Sequence, residues 1–153
     1  MSASRTAGDL CSRNPAIVRR STTLGEAARL LRDRHVGCLV VVDEIRDGHL
    51  PVGVLTDRDI VTAVVARDTN PALLRVGEAM SDDLLTAHED ASLHHALALM
   101  QHRHVRRLPV VDAAGLLLGL LSADDVLQLL ADELHRLADA LAGQRQVEEA
   151  VRP

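Results

Sequence analysis

The chain has 153 residues, 47% of them apolar, with a net charge of −5, and a chain of that size buries roughly 70% of its unfolded surface in one compact unit. The negative charge and the absence of Phe, Tyr and Trp argue against a phosphodiester partner or a platform for exposed bases. The opening MSASRTAGDL has no signal-peptide core and no apolar run approaches the roughly 20 residues of a bilayer span, so a cytoplasmic protein is expected, with Cys11 and Cys38 as reduced, buried thiols.

In chain order, AIV (16–18) reads as a short strand. Thr23 followed by Glu26 is a capping box that opens a helix through Leu24, Ala27, Ala28 and Leu31, ending near Arg34. CLVVVD (38–43) is a β-branched run too short for a helix, hence a buried strand, and PVGVLT (51–56) is its hairpin partner. The intervening EIRDGH holds an Asp-Gly pair suited to a turn. A second helix is expected from about Asp57 to Arg67, followed by a linker in RDTNPALLRVGE. The order then recurs as a strand in LLTA (84–87), a helix opened by Ser92, the strand RLPVVD (107–112), the strand LLLGLLS (116–122) and a long helix from about Ala123. In that last helix Leu127, Leu130, Leu134, Leu137 and Leu141 alternate spacings of three and four, a seam of a little over two heptads. The seam implies self-association, a homodimer, with a dock for another protein as the rival. Gly143 is expected to interrupt the helix and QRQVEEAVRP to fray.

The recurrence is an internal repeat. RHVGCLVVVD (34–43) lies over RHVRRLPVVD (103–112) at an offset of 69, which also carries Ser12 to Ser81, Leu24 to Leu93, Ala27 to Ala96 and Leu30 to Leu99. From Gly53 to Gly119 the offset is 66, so the first copy holds three extra residues after Asp43, in the EIRDGH turn. The expected fold is α/β (α+β): two β-α-β-β-α repeats over 9–67 and 78–134, packed sheet to sheet about an approximate twofold axis, with a C-terminal helical extension over 135–153.

GVLTDRDI (53–60) and GLLSADDV (119–126) share a pattern of Gly, two apolar residues, Thr or Ser, two variable residues, Asp and an apolar residue. The hydroxyl and carboxylate suit an N-cap with acidic residues in the first helical turn. They also suit a site where the hydroxyl and helix amides meet a phosphate while the aspartate accepts both hydroxyls of a ribose. This element resembles the signature of the cystathionine-β-synthase (CBS) domain, and the tandem is similar to a stand-alone CBS pair, or Bateman module, over roughly residues 9–134. The resemblance implies a regulatory, non-catalytic module that holds an adenosine-containing ligand (AMP, ADP or ATP) in clefts between the repeats, with no covalent cofactor. It implies that Asp59 and Asp125 hold ribose hydroxyls, that Thr56 and Ser122 face phosphate, and that Ile17, Val18, Thr86 and Ala87 line the adenine pocket. Arg106 and Arg107 would point toward ligand phosphates, favouring more highly phosphorylated ligands at the second site, and Arg58 would supply a basic group near the first. Pairing of both arginines with nearby carboxylates is the alternative. A ligand-free interaction module working through the leucine seam is the competing function. His94, His95, His102 and His104 supply ligand-type imidazoles for a metal site between copies, while His35 and His104, each following a helix, suit its C-terminal dipole. No nucleophile–base order, paired-acid geometry or P-loop is present, so no catalytic residue is assigned.

Overall fold

The computed structural model describes residues 5–152. The first half contains α1 (Ala7–Leu10), β1 (Ile17–Val18), α2 (Leu24–Arg34), β2 (Cys38–Ile45), β3 (Gly48–Thr56) and α3 (Asp57–Ile60), which continues as a π-helical turn over Val61–Val65. The second half repeats the order with α4 (Val76–Ala79), β4 (Ala87–His88), α5 (Leu93–Arg103), β5 (Arg107–Val111), β6 (Leu117–Ser122) and α6 (Ala123–Val151). Each half forms a three-stranded sheet, β1-β2-β3 or β4-β5-β6, with a parallel first pair and an antiparallel second pair. The α+β fold of two β-α-β-β-α units with a C-terminal helix is as the sequence indicates.

Local chemistry sets the same boundaries twice. At α2, Thr23 Oγ1 accepts from the Glu26 N–H at 3.2 Å while the Glu26 carboxylate accepts from the Thr23 N–H at 3.0 Å. These bonds hold the Glu26 carboxyl below its ordinary range. α2 and α5 both end on a histidine in the left-handed region, His35 at φ 52° and His104 at φ 54°, whose N–H groups close the final turn. The β2 core run is buried on both faces, with Leu39, Val40 and Val41 at 0% exposure, as in strands covered on both sides. A bulge interrupts the hairpin between Val41 and Val42, and again between Val110 and Val111. The three extra residues of the first copy lengthen its hairpin, which turns over Arg46 and Asp47 between the paired Ile45 and Gly48. Proline makes a further difference: the Val40 N–H reaches the Ala16 carbonyl at 2.9 Å, whereas Pro109, its counterpart, has no N–H to give. Accordingly β4 starts at Ala87 and leaves Thr86 outside the strand.

The halves are joined crosswise. α1 precedes the first sheet but docks on the second half, where the Ala7 and Gly8 N–H groups meet the Ala91 and Glu89 carbonyls at 2.8 and 2.9 Å. α4 docks on the first half in the same way, the Val76 and Gly77 N–H groups meeting the Thr22 and Arg20 carbonyls at 2.8 and 3.0 Å. Each hydrophobic core is therefore composite. Ala7 and Cys11 pack with Ala87, Ala96, Leu108, Val110, Leu121 and Val126, and Val76 packs with Leu24, Ala27, Leu39, Val41 and Leu55. Beyond α1, Ser12 exchanges backbone hydrogen bonds with Leu120 of β6 at 2.9 and 3.0 Å, and its counterpart Ser81 does so with Val54 of β3 at 3.0 Å. This crossing explains the glycine that opens the repeated signature. A Cβ on Gly119 would lie 2.3 Å from the Ser12 carbonyl oxygen, and one on Gly53 would lie 2.6 Å from that of Ser81.

Three local expectations change. The second helix of the first half does not run from Asp57 to Arg67: it has one α-helical turn before the π segment, where Thr62 Oγ1 donates to the Arg58 and Asp59 carbonyls at 3.0 and 3.1 Å and draws the backbone from regular pairing. Gly143 does not interrupt α6, which runs unbroken for 29 residues, roughly 43 Å. Glycine in a helix interior costs only about 1 kcal/mol relative to alanine, too little to stop a helix flanked on both sides by good helix formers. The four-residue helices α1 and α4 are additional elements, too short to produce a hydrophobic period.

Candidate functional site

Each copy of the signature spans a strand end and a helix start. Thr56 Oγ1 accepts from the Asp59 N–H at 3.2 Å and Asp59 Oδ2 accepts from the Thr56 N–H at 2.8 Å. Ser122 and Asp125 repeat the arrangement at 3.1 and 3.4 Å. The capping role is thus realised in both copies. It occupies only one oxygen of each carboxylate: Oδ1 of Asp59 and of Asp125 takes part in no hydrogen bond among the described residues. Cap and acceptor are compatible in one side chain, and the cap fixes the direction in which the second oxygen points.

The Asp125 copy faces a cleft of about 290 Å³ between the halves, near the small end of ligand cavities. One wall comes from the segment entering the first half, Asn14, Pro15 and Ala16, and from the α2–β2 turn, His35 to Cys38. The other comes from Arg107, Leu120, Ser122 and Asp125. Arg107 stands opposite Ser122 in the β5–β6 ladder. Its guanidinium crosses toward the first half, where a Cβ on Gly37 would lie 3.8 Å from Arg107 Nη2 and 3.7 Å from Asp57 Oδ2. Cys38 holds the place of Arg107 in the other copy; burial pushes its thiol up, and Arg107 pulls it part of the way back.

Other expected residues sit elsewhere. Ile17 and Val18 do not line this cleft: they border a separate open cavity of about 540 Å³ with Thr22, Glu26, Leu30 and the Arg19–Glu44 ion pair. Val18 and Ala87 turn into their own cores. The chain that reaches the cleft lies just upstream, at Asn14 to Ala16, because the entering segment crosses to the opposite half before β1 begins. Arg106 does not point into the cleft either; Nη2 pairs with Asp124 Oδ1 at 3.0 Å on the surface. Arg58 is exposed, its N–H donating to Asp57 Oδ1 at 2.8 Å. Thr56 and Asp59 border neither of the two cavities. Among the described residues, no three His, Cys, Asp or Glu side chains are grouped to hold a metal ion, His94, His95, His102 and His104 included. No helix among them is long and apolar enough to cross a membrane. Sequence reasoning missed Asn14 to Ala16 and Leu120. The signal available was the repeat itself, since a twofold arrangement sets one copy's signature against the other copy's entrance.

The family model for the CBS domain matches residues 7–66 and 76–132. The chain belongs to the CBS-domain family. Its tandem of CBS domains is 33% identical over 122 residues to an uncharacterized protein of Methanopyrus kandleri, a match that covers 80% of this chain and 61% of that one. A match to the Bacillus subtilis protein YlbB is 40% identical over 85 residues and covers 55% of it, so the chain spans between half and two thirds of the length of these curated relatives. Among solved structures, the CBS pair is similar to CBSX2, a CBS-pair protein of Arabidopsis thaliana, in complex with AMP, at 30% identity and a TM-score of 0.70 over 84% of this chain and 97% of that one. It is similar also to the CBS domain pair of protein MJ0100 in complex with 5′-methylthioadenosine and S-adenosyl-L-methionine, at 25% identity and a TM-score of 0.73 over 86% and 99%.

Proposed function

We propose that this CBS pair is a regulatory, non-catalytic module that binds an adenosine-containing ligand in the cleft walled by Ser122, Asp125 and Arg107. The observation that carries this reading is that an acceptor oxygen on Asp125, a hydroxyl on Ser122 and a guanidinium on Arg107 border one cavity whose other wall mixes aliphatic residues with Asn14 and His35. The carboxylate suits a ribose diol, and the guanidinium suits a phosphate. Pro15, Ala16, Val36 and Leu120 offer aliphatic surface for a base. Similar CBS pairs with adenosine ligands support it. Thr56 and Asp59 repeat the hydroxyl and carboxylate outside this cleft, and any binding there is weaker for anionic ligands, because Cys38 stands where the cleft has Arg107. Both halves wall the cleft, so a bound ligand ties them together and favours one relative arrangement, through which a partner protein is regulated.

With no Trp or Tyr, the protein is nearly transparent near 280 nm, and an absorbance band near 260 nm in nucleic-acid-free protein reports a retained nucleotide. Calorimetric titration of emptied protein with adenosine, AMP, ADP, ATP and S-adenosylmethionine tests the reading. Heat from none of them would sink it.

A second reading has its own observation. Leu127, Leu130, Leu134, Leu137 and Leu141 are 45–67% exposed along one seam of α6, a face that suits a homodimer of CBS pairs. Sedimentation equilibrium at micromolar concentration should show a dimer, weakened by the double variant Leu134→Gln, Leu137→Gln. A monomer at that concentration would refute it.

A further inference from the structure

The cleft contains a charge arrangement that the repeat pattern alone does not predict. Arg107 starts opposite Ser122, and its tip ends beside Gly37, where Asp57 Oδ2 flanks the same point at the same range. Beside Gly37, which lines the cleft, a guanidinium and a carboxylate thus come together near the Ser122 hydroxyl. Asp57 has no acidic counterpart in the other copy, where Ala123 takes its position. The neighbouring arginine that could have added a second positive charge is already paired with Asp124 outside the cleft. Gly37 lends no side chain to screen the two groups from each other, and its carbonyl accepts the Asp57 N–H at 3.2 Å, which fixes the backbone of Asp57 beside it.

We infer that Asp57 sets the charge limit of the Ser122–Asp125 cleft, admitting adenosine ligands with one phosphate or none and disfavouring those with two or three. The inference rests on the adenosine reading above. A single phosphate placed between Ser122 and Arg107 is matched by one guanidinium. A second and third phosphate extend past the guanidinium tip toward the carboxylate of Asp57, with Arg58 exposed beside it and Arg106 held by Asp124. The repulsion acts across a few ångströms of partly enclosed space, where it is screened less than in bulk water. Asp57 touches no part of the nucleoside, so it acts on discrimination and leaves the ribose contacts intact.

The test is calorimetric titration of nucleotide-free, full-length protein with adenosine, AMP and ATP, without divalent metal, for the wild type and for Asp57→Asn. The wild type should bind AMP at least about tenfold more tightly than ATP, and Asp57→Asn should close that gap to within about threefold by strengthening ATP binding, with adenosine affinity unchanged. Asp57→Ser, which keeps a first-turn acceptor for the Arg58 N–H, serves as the second variant and should behave alike. If the wild type binds ATP as tightly as AMP, the charge limit is wrong while the nucleotide reading stands. If either folded variant weakens AMP and ATP equally, Asp57 shapes the cleft and does not set its charge. Heat from no adenosine ligand would remove both this inference and the reading beneath it.

Discussion

The two halves share a plan but differ in charge at two pairs of matched positions. At one central pair of positions the first half has Gly37 and Cys38 while the second has Arg106 and Arg107. At the start of the helix after the signature, the first has Asp57 and Arg58 and the second has Ala123 and Asp124. The parts that hold the backbone are repeated almost without change: the crossing at Gly53 and Gly119, the capping boxes at Thr56–Asp59 and Ser122–Asp125, and the left-handed histidines 35 and 104. The clamps of the fold are thus separable from its charge, and one framework carries two chemically different surroundings for the same signature.

The largest effect should come from breaking a clamp. Gly119→Ala forces a methyl group to within 2.3 Å of the Ser12 carbonyl oxygen and toward Cys11 Sγ at 2.6 Å, and should cost about 4 kcal/mol of stability in urea denaturation. Gly53→Ala, at 2.6 Å from the Ser81 carbonyl oxygen with the movable Met80 side chain as its other neighbour, should cost less, about 3 kcal/mol. Equal losses would mean that the two crossings do not differ as their distances say.

Next comes the ribose contact. Asp125→Ala should weaken AMP binding by about 3 kcal/mol, near 100-fold, through loss of charge-assisted bonds, with about 1 kcal/mol of stability lost from the cap. Asp59→Ala should remove only the weaker binding event of a two-site calorimetric isotherm. If Asp59→Ala abolishes the tighter event, the assignment of the stronger cleft is reversed. A smaller difference separates the arginines. Arg107→Ala should reduce AMP affinity about tenfold and leave adenosine nearly unaffected, whereas Arg106→Ala removes only an exposed pair worth at most about 1 kcal/mol and should leave AMP affinity within about twofold. The smallest effect has the opposite sign. A Cβ on Gly143 would meet nothing within 4 Å, so Gly143→Ala should stabilise α6 by about 0.5 to 1 kcal/mol, visible as increased helicity by circular dichroism.

How much of this could be read from the residues follows from the range of each interaction. Strands 38–43 and 107–112 and the helices opened by Thr23 and Ser92 were legible because burial period and caps act over a few neighbours. The twofold repeat was legible because the copies keep the same residues. The contribution of Asn14 to Ala16 to the cleft was not, because it depends on a crossing between residues far apart in sequence. Nor was the direction of Arg106, since a guanidinium chooses between a cleft and a nearby carboxylate such as Asp124 only once both are in place. Nor was the full length of α6, because a single glycine is a local stop signal whose cost of about 1 kcal/mol is outweighed by the helix formers on either side.

The crosswise seating of α1 and α4 also constrains the order in which the chain can become native. During synthesis α1 emerges before the rest of the pair, yet its partners lie in the second half, and the strand that closes over Ser12 is reached at Leu120, 108 residues later. The first sheet likewise waits for Val76, which is made after the linker. The first half can complete its core only after α4 is made and the second only after Leu121 and Val126, so α1 must wait unassembled through most of synthesis and its docking comes late. A cut in the 67–73 linker would leave two fragments, each carrying the missing piece of the other, and such fragments should recover the fold only when mixed.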